Sequence, residues 1–146
     1  IADACDSLRI PSGVIGFHDT CRVLKHPAER VRPNMKAGFL DDGCTNLLPA
    51  LVMSNEMAQY HPRHRHVQFV LTDGSTMYSA QSAAFLRYQE ECGVTSYGIS
   101  IGGGMRHQVR QFFEERKSLV TIAARDIQAK GLVSALDSGL RETLQS

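Results

Sequence analysis

The chain predicts an α/β fold: an open, mainly parallel sheet with helices on both faces and one antiparallel edge hairpin. Three observations carry this. From about Thr45 onward, segments of helical and strand periodicity alternate strictly, which feeds successive parallel strands through helical crossovers. Val67-Gln68-Phe69-Val70-Leu71 is a short apolar run ending on Thr72-Asp73-Gly74, the pattern of a buried strand entering an acidic turn. Ahead of Thr45, two short apolar runs flank His18-Asp19-Thr20, which reads as a hairpin.

The elements follow in order. Ile1 to Leu8 reads as the tail of a helix, with Ala4 and Leu8 on one inner face, and the spacing implies residues before Ile1. Ile10-Pro11-Ser12-Gly13 is a turn, Gly13 to Phe17 a strand, and Cys21 to Lys25 its returning partner. Residues 26 to 43 carry Pro27, Pro33 and Gly38 and read as loop with one short helix. Thr45 or Asn46 caps the next helix, with Pro49 in its first turn, where a missing N–H is tolerated. Leu47, Leu48, Leu51, Val52 and Met57 give that helix an apolar side, and it stops near His61-Pro62.

After the strand Val67 to Leu71, Ser79 to Cys92 reads as a helix closed by Gly93, with Ala83, Phe85, Leu86 and Tyr88 as packing residues. Ser96 to Ile101 is a strand, Gly102-Gly103-Gly104 a turn, and Met105 to Arg116 a helix with Val109, Phe112 and Phe113 inward. Leu119 to Ala123 is a short strand. Asp126 to Leu144 is a final helix interrupted by Gly131 and Gly139.

Composition narrows the function classes. The 146 residues suit a single domain, residues 1–146, with one sizeable core, and the 42% hydrophobic content is that of a globular protein. A formal net charge of +1 supplies no global field toward nucleic acid or an acidic membrane. No apolar run approaches the roughly 20 residues of a membrane span, and no signal-peptide pattern opens the chain. Cys5, Cys21, Cys44 and Cys92 form no C-x-x-C pair, so zinc-finger spacing is absent. Reduced thiols and a cytoplasmic setting are the expectation.

Ligands of open α/β sheets collect beyond the carboxyl ends of the strands. Asp73 stands at such an end, and Thr45 opens a helix from another loop. A carboxylate and a hydroxyl together make a hard oxygen site suited to Mg²⁺, or to Mn²⁺ or Ca²⁺. Each residue also has a plain structural use: Asp73-Gly74 favours a turn, and Thr45 is a good helix cap. Two such ligands alone bind Mg²⁺ poorly. Asp41-Asp42 reads as solvated loop.

Other motifs point elsewhere. Gly98-Ile99-Ser100-Ile101-Gly102 matches G-x-S-x-G, which makes a serine hydrolase using Ser100 the alternative reading. That elbow needs Ser on a strained turn, whereas Ile99 and Ile101 flank Ser100 as strand residues. His107 and Asp126 also follow in the wrong order for that fold. His61-Pro62-Arg63-His64-Arg65-His66 invites a transition metal, but the interleaved Arg residues repel a cation, and a solvated basic turn explains it better. Gly102-Gly103-Gly104 fails both phosphate-loop fingerprints. Cys44 sits near a helix start, the one thiol in a place that favours the thiolate.

Gly16-Phe17 with Asp19, Gly43-Cys44-Thr45-Asn46, Pro49-Ala50-Leu51, Phe69-Val70-Leu71-Thr72-Asp73-Gly74 and Gly98-Ile99-Ser100-Ile101-Gly102 occur in an order that resembles the von Willebrand factor A domain. The resemblance covers nearly the whole chain and implies a Rossmann-like fold. The intracellular bacterial and phage branch is the most similar, including the A domain of cobaltochelatase-type subunits that work beside AAA+ ATPases.

The family's metal-ion-dependent adhesion site (MIDAS) takes a D-x-S-x-S motif, a Thr and an Asp from three loops. The resemblance places the Thr at Thr45 and the Asp at Asp73. No D-x-S-x-S occurs, so it also implies that the first central strand is missing from this sequence. The implied function is a non-enzymatic protein–protein interaction module, whose metal a carboxylate from a partner protein completes. A component of an AAA+ ATPase-linked metal chelatase or remodelling complex is the expectation.

Overall fold

The N-terminal hairpin forms because two short apolar segments are joined by a turn tight enough to pair them. In the computed structural model, which describes residues 2–32, 45–72, 76–103, 105 and 107–145, β1 (Val14–Phe17) and β2 (Cys21–Lys25) are antiparallel. Phe17 faces Cys21 and Gly16 faces Arg22, and the turn closes through a hydrogen bond from His18 N to Thr20 O at 2.8 Å. The described chain divides into two units, Ile1–His64 and Arg65–Ser146.

In the first unit, α1 (Ala2–Ser7) precedes the hairpin, and the extended pair β3 (Thr45–Asn46) leads into α2 (Leu48–Gln59). Leu47, Ala50 and Leu51 are buried, while Val52 is exposed. Leu51 and Val52 lie about 100° apart around the helix axis, so a face centred on Leu51 turns Val52 outward. The α2 side chain Met57 comes so close to Gly13 that a Cβ there would lie 2.9 Å from its sulfur.

Lys25, at the end of β2, is only 1% exposed. A buried ammonium is tolerated when it is saturated with acceptors. Its Nζ donates to Ser12 O at 2.5 Å and lies 3.7 Å from Asp6 Oδ1. Asp6 accepts in turn from Val31 N at 2.6 Å, so one charged chain ties α1 to the hairpin.

In the second unit, β4 (His66–Thr72), β6 (Val94–Ile101) and β7 (Leu119–Ile122) form a parallel sheet in the order β4-β6-β7. The pairing of β4 with β6 runs unbroken from His66↔Val94 to Thr72↔Ser100. The connections are β5 (Thr76–Met77) with α3 (Ser79–Glu91), then α4 (His107–Glu115). After β7 come α5 (Ala124–Lys130) and α6 (Leu132–Gln145). This is the mainly parallel α/β arrangement the alternation predicts, with one separate antiparallel pair.

The two sheet faces are covered by different helices. Gly98 lies against α4, where a Cβ would overlap the Phe113 ring. Ile99, on the opposite face, clusters with Val120, Ile122 and Ala135, with Ile127 beside them. Gly139 lets α6 approach Val120 closely. On the α3 side, the amides of Gln68 and Gln89 exchange hydrogen bonds at 3.2 and 3.3 Å, and Gln68 also donates to Ser96 Oγ.

The expectation that Val67 to Leu71 is buried throughout is corrected. Val70 is buried, but Val67 is 57% exposed, and Phe69 and Leu71 each 40%. In a strand, alternate residues face opposite sides. The α3/α4 side covers Val70 and Thr72, whereas the side bearing Val67, Phe69 and Leu71 is open. α3 likewise buries Ser82, Ala83, Leu86 and Gln89, leaving Tyr88 exposed. No helix among the described residues is long and apolar enough to cross a membrane.

Candidate functional site

Thr45 and Asn46 do not cap α2. The N-cap position belongs to Leu47, which makes no side-chain cap bond, and Pro49 falls in the first turn as the sequence suggests. Both polar residues instead adopt the extended form of β3, so neither side chain is committed to the helix start. The reason is that Pro at the head of α2 supplies the preset φ, so a side-chain cap is dispensable.

This segment is held against the hairpin turn. Asn46 N donates to His18 O at 2.5 Å. Beside it, His18 Nδ1 contacts Asp19 Oδ1, and Asp19 Oδ1 accepts from Thr20 N at 3.1 Å. His18 and Asp19 are open to solvent. Asn46 Oδ1 is buried and has no hydrogen-bond partner among the described residues. An orphaned buried acceptor costs about 1–3 kcal/mol, so this oxygen is one that a cation or donor would satisfy. The sequence reading gave His18 and Asp19 the hairpin turn and Asn46 a helix cap, and assigned none of the three as a ligand. The polar turn at the carboxyl end of β1 was the available signal.

The other proposed ligand, Asp73, lies outside the described residues, as do Cys44 and Asp41-Asp42. What precedes Asp73 is described. Thr72 is buried and pairs in register with Ser100, which is fully buried. Ser79 Oγ accepts from Val109 N at 3.3 Å. Thr76 Oγ1 and Ser82 Oγ are buried without a hydrogen-bond partner among the described residues. The segments following β4 are therefore rich in hydroxyls and poor in basic groups, which suits a hard cation rather than an anion.

The geometry rules out the hydrolase reading. Ser100 is a mid-sheet residue of β6 with no exposed surface, and its Oγ accepts from Met105 N at 3.2 Å. The sharp turn comes after it, at Gly102 and Gly103, with φ of 62° and 71°. A nucleophile elbow would put the serine on the turn itself. The helix after that turn begins at His107 rather than Met105, and Met105 is buried with its N–H bonded to Ser100 Oγ.

The remaining reactive groups do not assemble into a centre. Cys5, Cys21 and Cys92 are free thiols. Among the described residues no three His, Cys, Asp or Glu side chains converge for a metal. The perturbed acids and bases serve packing: Arg116 caps the Phe112 ring at 3.8 Å and grips Glu90 with two hydrogen bonds of 2.7 Å. That hydrogen bonding holds the Glu90 carboxyl below its ordinary range.

Comparison with known proteins agrees with this architecture. No family model matches the chain, and no curated protein matches it. A solved structure, von Willebrand factor type A from Catenulispora acidiphila, superimposes with a TM-score of 0.63 at 15% sequence identity. The likeness covers 90% of this chain and 32% of that one, so the chain spans about a third of its solved neighbour. The fold of this protein is von Willebrand factor A-like.

Proposed function

We propose that the chain is a protein–protein interaction module built on a MIDAS-type divalent-metal site, with Thr45 and Asp73 as the ligands it contributes. The fold likeness over 90% of the chain carries this reading. Three features support it. Thr45 is not used as a helix cap. Asn46 Oδ1, on the same strand, has no hydrogen-bond partner among the described residues. Thr72 and Ser75, which flank Asp73 in the sequence, carry hydroxyl oxygens, the class Mg²⁺ prefers. Bound there, Mg²⁺ would supply an open coordination position for a partner's carboxylate. The chain's own residues orient that position, and no covalent chemistry is required of them.

The absent ligands belong to a D-x-S-x-S segment following a strand beside β4. The free edge of β4 supports this. β4 pairs only with β6 among the described residues, yet Val67, Phe69 and Val70 give it apolar residues on both faces. Edge strands are ordinarily shortened, charged or bulged, and this one is none of these. The partner in this reading is another protein, such as the AAA+ ATPase of a chelatase-type or remodelling complex, and the free thiols suit a cytoplasmic setting.

The test is calorimetric titration of Mg²⁺ and Mn²⁺ into the wild-type chain, Thr45→Ala and Asp73→Ala. Weak binding in the wild-type chain, lost in both variants, is the expected result. An equal response in wild type and Asp73→Ala refutes the assigned ligands.

A further inference from the structure

The turn that ends α2 carries a second recognition feature, independent of the metal reading. Tyr60 N bonds to Met57 O and His61 N to Ala58 O, which finishes the helix. His64 N then bonds back to His61 O at 3.1 Å, closing a tight turn with Pro62 at its second position. The closure sets the His61 and His64 rings parallel, with centroids 5.5 Å apart and planes 6° from coplanar. Tyr60, His61, Pro62, Arg63 and His64 line a hollow of about 240 Å³.

The lining holds donors and no carboxylate. Arg63 forms no ion pair among the described residues and is exposed. The carboxyl end of α2 carries only about half a negative charge. One guanidinium outweighs that, so the hollow is electropositive even with both imidazoles neutral. A transition metal would need a third ligand, which the lining lacks, and would sit beside the Arg63 cation.

An acceptor-only ligand fits instead. Arg63 presents a planar fork of N–H groups, each imidazole one further N–H, and Tyr60 a hydroxyl. A phosphoryl group offers three terminal oxygens to this set of donors, one more than a carboxylate.

We propose that the Tyr60–His64 hollow binds a phosphate monoester through Arg63, with His61, His64 and Tyr60 as further hydrogen-bond donors. The group belongs either to a phosphorylated protein side chain or to a small phosphorylated molecule. Amide NMR titration of the 146-residue chain tests this with three probes: inorganic phosphate, glycerol 3-phosphate and a short peptide carrying one phosphoserine. Saturable shifts confined to Tyr60–His64 are expected, about tenfold weaker in Arg63→Gln, since a hydrogen bond to a charged group is worth that factor. Tighter binding of the peptide than of glycerol 3-phosphate assigns the ligand to a protein, and the reverse order to a metabolite. The proposal is overturned by an absence of saturable shifts, or by equal titration of Arg63→Gln, whose exposed site makes misfolding an unneeded explanation. Shifts equal for phosphate and for sodium acetate would also overturn it.

Discussion

Arg116 illustrates how one side chain at the surface of the second unit stabilises several others. It donates twice to Glu90, bonds Phe112 O at 3.0 Å and lies over the Phe112 ring, joining α3 to the end of α4. Because the folded-state pKa of Glu90 is depressed, its contribution is present above the unfolded value of about 4.3 and is lost as pH falls through the lower folded value. Both groups are partly exposed, so solvent screening limits the pair to roughly 1 kcal/mol or less. Urea unfolding of Glu90→Gln should therefore show a lowered midpoint at neutral pH and a midpoint equal to wild type in strong acid. A difference that persists unchanged in acid would contradict the assignment. At this scale the sequence was only partly legible. Val109, Phe112 and Phe113 were identified as inward from their spacing alone, and all three are buried. The use of Gly98 was not readable, since its cause is a ring on α4 that periodicity cannot bring to it.

Gly131 divides what the sequence reads as one interrupted helix into α5 and α6. Its φ of 80° and ψ of 158° lie in a region essentially restricted to glycine. Gly131→Ala should destabilise the chain by about 1–3 kcal/mol, seen as a lower thermal midpoint with an unchanged slope of urea unfolding. A neutral effect would mean that the α5–α6 joint relaxes freely. Elements bounded by glycine were in general readable: Gly93, with φ of 90°, follows α3 as its terminator. The start of α2 was misread because Thr45, Asn46 and Pro49 all signal a helix N-terminus, and the proline alone suffices. The inner side of α3 was read in part: Ala83 and Leu86 are buried as expected, but Tyr88 is exposed, and the helix also buries Ser82 and Gln89, two polar residues that periodicity discounts.

Over the whole molecule, the parallel connectivity was legible because strictly alternating helix and strand leave little other topology. What stayed hidden was which strand lies at the edge. β4 has the composition of an interior strand, and edge status depends on what pairs with it rather than on its own residues. Backbone protection should report the difference. Amides of β6, flanked by β4 and β7, should exchange slowest, whereas outward-pointing amides of β4 should exchange orders of magnitude faster. Uniform protection across β4 would show that its open side is paired in solution. The reciprocal Gln68–Gln89 pair joins β4 to α3, and Gln68 also donates to Ser96 of β6. Each amide gives a proton and takes one, and neither group titrates. The seating of α3 on the sheet is thereby indifferent to acidity, so strong acid should loosen the Glu90–Arg116 clasp while leaving the Gln68–Gln89 seat of the helix in place.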